Sequence, residues 1–371
     1  MGERSYHWQG LQYWRLWSII CVEIMKNNVS PVSYYDAYIA EKNVCVFFSR
    51  LDVLSHDDYS HARMFSWANG GWGHRDMPFM ISSAIRFEPK NRNPSYIIYS
   101  LGRKSGAVEA YYPKGVRTEY EFLPGATLDR GLPHLQQIKE IGGRLYIVGP
   151  NSQIFRRKQE ESQSTTSFKG AQNKNFHARL EQWEVFNQGV EPPAIEDFEA
   201  KGMSRSDAMG AFIGYCSLNS IDGSNEDDLY AVGDDGVVIH RSVGIWKFLP
   251  KVTNADLLRV KKIDKKTVYV VGKKGIFLKG NAVDGFKQIP TNMGDTMSGL
   301  EEFKGKIYVG SSNRGVMVYD GNIVTRAPGL PDFDCHTLHS KDGQLLAVGS
   351  KHAYLTEDAR NWKFLENPDN V

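Results

Sequence analysis

The chain has 371 residues, 41% of them hydrophobic and 12% aromatic, enough apolar material for a large core. Its 45 basic and 43 acidic side chains leave a formal charge of +2, which excludes the basic stripe a dedicated nucleic-acid binder needs. The four cysteines, Cys21, Cys45, Cys216 and Cys335, stand far apart, with neither a Cys-x-x-Cys pair nor zinc-finger spacing, and read as buried thiols of a cytoplasmic protein.

From the N-terminus, the run Leu16-Trp17-Ser18-Ile19-Ile20-Cys21-Val22 is apolar until Glu23 ends it. A bilayer span takes about 20 apolar residues, so no membrane span is expected. Arg4, Tyr13-Trp14 and Glu23 fit a secretory signal poorly. Residues 1–31 are expected as an N-terminal extension, with Met25 a candidate start, and residues 32–371 as one domain.

Within that domain a phrase recurs. Its early copies are loose: Val44-Cys45-Val46-Phe47-Phe48, then Tyr96-Ile97-Ile98-Tyr99, then the closer Leu145-Tyr146-Ile147-Val148-Gly149. Four clear copies follow, ending at Gly233, Gly272, Gly310 and Gly349, spaced by 39, 38 and 39 residues. That spacing is a propeller-blade period.

Each copy follows a polar turn such as Asp264-Lys265-Lys266 or Lys341-Asp342-Gly343. A second turn comes after it, such as Asp234-Asp235-Gly236, then a short strand and a closing strand with an aromatic, as in Ile245-Trp246-Lys247-Phe248. Each unit therefore holds four strands, and the expectation is an all-β, seven-bladed β-propeller of four-stranded antiparallel blades. One such sheet cannot bury both its faces, so blades must stack and the ring must close. Tyr146, Tyr230, Tyr269, Tyr308, Trp183, Trp246 and Trp362 are assigned to inter-blade cores. The last unit looks complete, so closure without exchange of a strand between the termini is expected.

Gly149 and Gly233 lie 84 residues apart, which predicts an enlarged third unit. Its insertion near 157–175 has almost no apolar residue and reads as an unstructured loop. The one near 190–211 carries Pro192-Pro193 ahead of Ala194-Ile195-Glu196-Asp197-Phe198-Glu199 and reads as a proline-started short helix packed on the ring.

With strands lettered a to d from the axis outwards, the b–c and d–a connections emerge on one face and the a–b and c–d connections on the other. Long loops on a rigid scaffold are where binding concentrates. The partner-binding candidates are therefore Glu196, Asp197, Glu199, Asp234, Asp235, Asp332 and Asp334, which the alternation puts on one face. Asp52, His56, His61 and His336 are weak metal candidates, since blades 1 and 7 adjoin there, but a solvated polar loop accounts for them as well. No metal and no cofactor is expected.

Catalytic motifs are missing: no G-x-S-x-G, no phosphate-binding G-x-x-x-x-G-K-[ST], no H-E-x-x-H, and no spacing that selects an arginine and tyrosine set. Thr356-Glu357-Asp358-Ala359-Arg360-Asn361-Trp362 resembles the Ser-x-Asp-x-Gly-x-Thr-Trp box of sialidase-type propellers, one residue short and without its glycine. Such boxes are turns, so the match bears on fold only.

As a whole, Val-Gly-x-x-Gly-x-(Val/Ile) followed by a Trp-Lys-Phe strand resembles the WD40/YVTN/BNR-like propellers, including the photosystem II assembly-factor type. Degenerate propellers of this kind also resemble the immunity proteins of polymorphic or type VI-secreted bacterial toxins. The resemblance implies a non-catalytic, cytoplasmic, protein-binding chain whose partner is a toxin or effector. An assembly or scaffolding factor is the alternative, and a glycan-binding or sialidase-like propeller the next.

Overall fold

A computed structural model describes residues 30–370 apart from 56–57, 59, 90–95, 113–116, 127–131, 133, 160–163 and 170–174. Residues 1–29 of the N-terminal extension, with the candidate start Met25, therefore lie outside the described residues.

Seven antiparallel sheets follow one another in chain order. Their inner strands, a, are Val32–Glu41, Ile81–Phe87, Gln137–Ile141, Leu218–Asn225, Leu257–Lys262, Met297–Phe303 and Thr337–Lys341. Each touches the next, and the last touches the first, so the ring is closed. Seven apolar clusters form the core, one in each seam between neighbouring blades.

The recurring glycine has a steric cause. Gly233 closes strand b directly against the chain entering strand a, where a Cβ would lie 1.8 Å from the Ser217 carbonyl oxygen. Gly272 meets Asp256 and Gly349 meets Asp334 in the same way, at 2.1 Å each. No side chain fits there without moving backbone.

In blades 3, 4 and 7 a tryptophan at the outer strand ties the blade to the one before it. Trp183 donates its indole N–H to Glu121 of blade 2 at 2.9 Å, and Trp246 donates to the Phe186 carbonyl, just past blade 3, at 2.8 Å. Trp362 does the same to Pro328 after blade 6, at 3.1 Å. These residues are seam contacts, as the repeat predicted.

At the axis a second set of ties joins the inner strands. Asp36 accepts from the Ala84 N–H, Gln137 from Ile221, Ser220 from Val260, Asp222 from Lys262, and His339 from Ile39. In each the acceptor side chain belongs to one blade and the donor backbone to the next, which satisfies amides that would otherwise be stranded on the inner edge.

All strands of blade 1 come from the start of the ring and all of blade 7 from its end, so no strand is exchanged. The C-terminal tail fastens the seam instead. Asn370 accepts from the Val32 N–H at 3.0 Å, Asn367 donates to the Tyr34 hydroxyl at 2.5 Å, and buried Asp369 pairs with Arg63 at 2.9 Å.

The third unit is enlarged as expected, but its first insertion is not an unstructured loop. Thr165–Lys169 and Asn175–Arg179 form a hairpin between strands c and d of blade 3. Asn175–Arg179 runs parallel to Arg117–Phe122 and widens blade 2 to six strands. Backbone pairing to the open sheet edge recruits this segment, and the pairing strand adds buried Ala178 and half-buried Phe176, the latter edge-on to Tyr120 at 5.0 Å, to the core between blades 1 and 2. The second insertion holds two helices, α1 (Ile195–Glu199) and α2 (Arg205–Gly214), packed on each other with Phe198 and Ala208 turned inward.

Candidate partner-binding face and axial cavity

Strand alternation puts the d–a connections and b–c turns together. The backbone shows it directly: Asp234, in a b–c turn, donates to the Ser217 carbonyl in the d–a connection, and Lys273 donates to Asp256, at 2.9 Å each.

The seven candidate carboxylates divide into two kinds. Asp334 accepts from the Ser350 N–H at 3.0 Å, Asp234 from Asn219 at 2.8 Å, and Asp197 from the Ala194 N–H at the start of α1 at 2.9 Å. Those three hold backbone or turns. Glu199 pairs with Arg205 at 3.1 Å, and exposed Asp332 pairs with Arg326 at 2.9 Å. Glu196 and Asp235 are exposed, and Asp235 takes the left-handed conformation that Asp tolerates, with φ 53°.

Beside the carboxylates lies apolar surface that the repeat pattern did not reveal. α2 exposes Met209 and Ile213, four residues apart, and Ile213 and Phe248 are each 48% exposed. Tyr215, at the end of α2, meets Phe248 of blade 4 edge-on at 6.5 Å. An amphipathic helix normally buries such residues, so this is a sticky patch on an otherwise packed scaffold.

The weak metal candidates are engaged elsewhere. Asp52 accepts from Ser33 at 2.7 Å and from Lys351 across the seam between blades 1 and 7. His61 faces Asp76 at 3.4 Å, His336 Nδ1 contacts the Thr337 hydroxyl at 3.1 Å, and His56 lies outside the described residues. Among the described residues no three His, Cys, Asp or Glu side chains gather as a metal site. Cys45, Cys216 and Cys335 are buried free thiols. The sialidase-like box is a c–d turn in which Asp358 accepts from the Arg360 and Asn361 N–H groups at 2.8 Å each, which holds its carboxyl well below the usual range.

Sequence reasoning missed a second feature, an axial cavity of about 350 Å³. Inner strands of six blades line it, with Asp36, Lys139, Arg259, Lys261, Glu301 and His339 among the residues facing it. The register explains the layering. Lys139, Asp222, Lys261 and Glu301 pair with the tyrosines of the repeated phrase, Tyr146, Tyr230, Tyr269 and Tyr308, while Arg259 sits one level higher opposite Val271.

Protein surrounds these groups, and burial dominates their protonation. It pushes His339 down to about 3, helped by Lys139, Lys261 and Lys341, and His336 down to about 4. It pushes Asp36 up to about 6, against Arg259 and the amides that bond to it. The two histidines, ordinarily near 6.5, contribute stability present above that value and lost as pH falls toward 4 and 3. Asp36 acts oppositely, its contribution present at low pH and lost as pH rises through about 6. Two histidines outweigh one aspartate, and burial shifts His74 and His240 downward as well. The melting midpoint should therefore fall steadily from pH 6.5 to 4, and His336→Asn should flatten that slope. A midpoint that rises over this range in calorimetry contradicts the assignment.

No family model matches the chain. Immune protein Tsi7 of Pseudomonas aeruginosa is 22% identical over 348 residues, covering 91% of this chain and 96% of that protein. Among solved structures, the WD40 propeller domain of Doa1 superposes with a TM-score of 0.57 at 8% identity, over 90% of this chain and 97% of that one. Streptogramin B lyase gives 0.54 at 12% identity, over 87% and 92%, and YCF48 bound to D1 peptide gives 0.54 at 9%, over 88% and 94%. The fold is a seven-bladed β-propeller. These structural likenesses span an enzyme and a peptide-bound protein, so they carry fold and not activity. No helix among the described residues is long and apolar enough to cross a membrane.

Proposed function

We propose that this chain is a non-catalytic, protein-binding propeller that acts as an immunity protein, holding a cognate bacterial toxin or effector in the cytoplasm and neutralising it. The observation that carries this reading is the likeness to an immune protein along nearly the full length of both chains. The geometry suits the task. A stiff ring presents α1, α2 and the b–c turns on one face, where α2, which exposes Met209 and Ile213, packs on α1, which carries Glu196. An apolar centre with a charged rim is the usual anatomy of a specific interface, and about 800 Å² per partner is enough for a stable one.

The experiment is co-expression in a sensitive bacterium with the toxin-like protein encoded beside this gene. Growth restored by this chain, and not by an unrelated propeller, is the expected result. Continued killing while the chain is folded and abundant would overturn the reading.

A further inference from the structure

The axial cavity lies within the volume range of small-molecule sites, about 300 to 1,000 Å³. Most charged groups on its walls answer one another. Arg86 donates to the Ala40 carbonyl at 2.6 Å and to Glu41 at 2.8 Å, Lys261 pairs with Glu301 at 2.5 Å, and Lys341 pairs with Glu88 at 3.3 Å. The carboxylates are also spoken for, because Asp36 accepts from the Ala84 and Ala37 amides and Glu140 from the Gly143 amide.

Three donor side chains lack an anionic partner among the described residues. Lys139 has no carboxylate within 4.0 Å among the described residues. Arg259 donates only to the carbonyl of adjacent Leu258, at 2.8 Å, and Asp36 acts on it from beyond ion-pair distance. His339 is neutral, and its Nδ1 accepts from the Ile39 N–H at 3.2 Å, so its proton sits on Nε2. That N–H has no acceptor among the described residues. All three residues are half-buried and line the cavity, so their donors stay available to an anion that enters it.

We propose that the axial cavity is a binding site for a small free oxyanion, a phosphate or a carboxylate, held by the Lys139 ammonium, the Arg259 guanidinium and the His339 Nε2–H. The cations supply charge-assisted hydrogen bonds, and the low-dielectric walls strengthen them. Arg259 lies one level above Lys139 and His339, so the bound group spans two layers of the inner ring.

The test is calorimetric titration of the full chain with inorganic phosphate and, separately, acetate, against sodium chloride at matched ionic strength. The expected result is saturable binding of one anion per chain by at least one of the two, with a rise in melting midpoint that chloride does not reproduce. Lys139→Gln and Arg259→Gln should each weaken it about tenfold or more, while Lys287→Gln, exposed on the outer strand Gly285–Gln288 of blade 5, leaves it unchanged. If Arg259→Gln does not fold, Lys139→Gln carries the comparison alone. A chloride effect equal to both oxyanions, or undiminished binding by folded Lys139→Gln, would overturn the site.

Discussion

Replacing Arg157 by methionine is expected to destabilise the propeller by about 3 to 5 kcal/mol, because it leaves an unpaired carboxylate in the seam between blades 2 and 3. Glu121 is 1% exposed and receives three donors: Arg157 Nε at 2.9 Å, Arg157 Nη2 at 2.6 Å and the Trp183 indole at 2.9 Å. The guanidinium pKa is raised by these bonds despite burial. Methionine keeps much of the apolar stem and removes only the charge. Adding Glu121→Gln to Arg157→Met should recover part of the loss, since a neutral amide costs less to bury. Urea unfolding reads both: the midpoint drops in the single variant and climbs back in the double, with m unchanged. A single variant within about 1 kcal/mol of the parent would mean that Glu121 is not trapped.

The second large effect is on partner binding. Glu196→Lys, Asp235→Asn and Asp332→Lys together should weaken the complex about a hundredfold or more, while the melting midpoint stays nearly where it was. Glu196 and Asp235 are exposed and tie down no backbone through their side chains, and Asp332 meets only half-exposed Arg326. Surface pairs of that kind contribute little to stability. Asp334→Lys and Asp234→Ala are the contrast, because each removes an acceptor that fixes a turn and should lower the midpoint itself. Unchanged affinity in the folded triple variant would move the interface off this face.

That contrast marks where the sequence stops informing. The C-terminal four blades were legible because Gly233, Gly272 and Gly349 each occupy a spot where a Cβ would strike a carbonyl, so the repeat cannot drift there. Blades 1 and 2 were harder to read: strand b of blade 1, Val44–Leu51, ends without that glycine, and in blade 2 Gly102 holds the equivalent register opposite Ile81 but follows Tyr99-Ser100-Leu101, a poor copy of the apolar phrase. Loop geometry was legible from strand alternation, yet which carboxylates serve the turns was not, because Asp334 and Asp332 look alike until Ser350 is seen beside one of them. The hairpin at Thr165–Lys169 escaped because its first strand is mostly polar and the apolar residues that dock it, Phe176 and Ala178, lie just past the polar run. Lys139, Arg259 and His339 escaped for a related reason: polar residues alternating on a strand read as a solvent face, and only the closed ring turns that face inward.

The most direct test is calorimetry between this chain and the toxin-like protein encoded beside its gene. A one-to-one complex of nanomolar affinity that also blocks the partner's toxicity is the predicted result. No measurable binding by a chain that melts cooperatively would contradict the immunity reading and leave the propeller without its proposed partner.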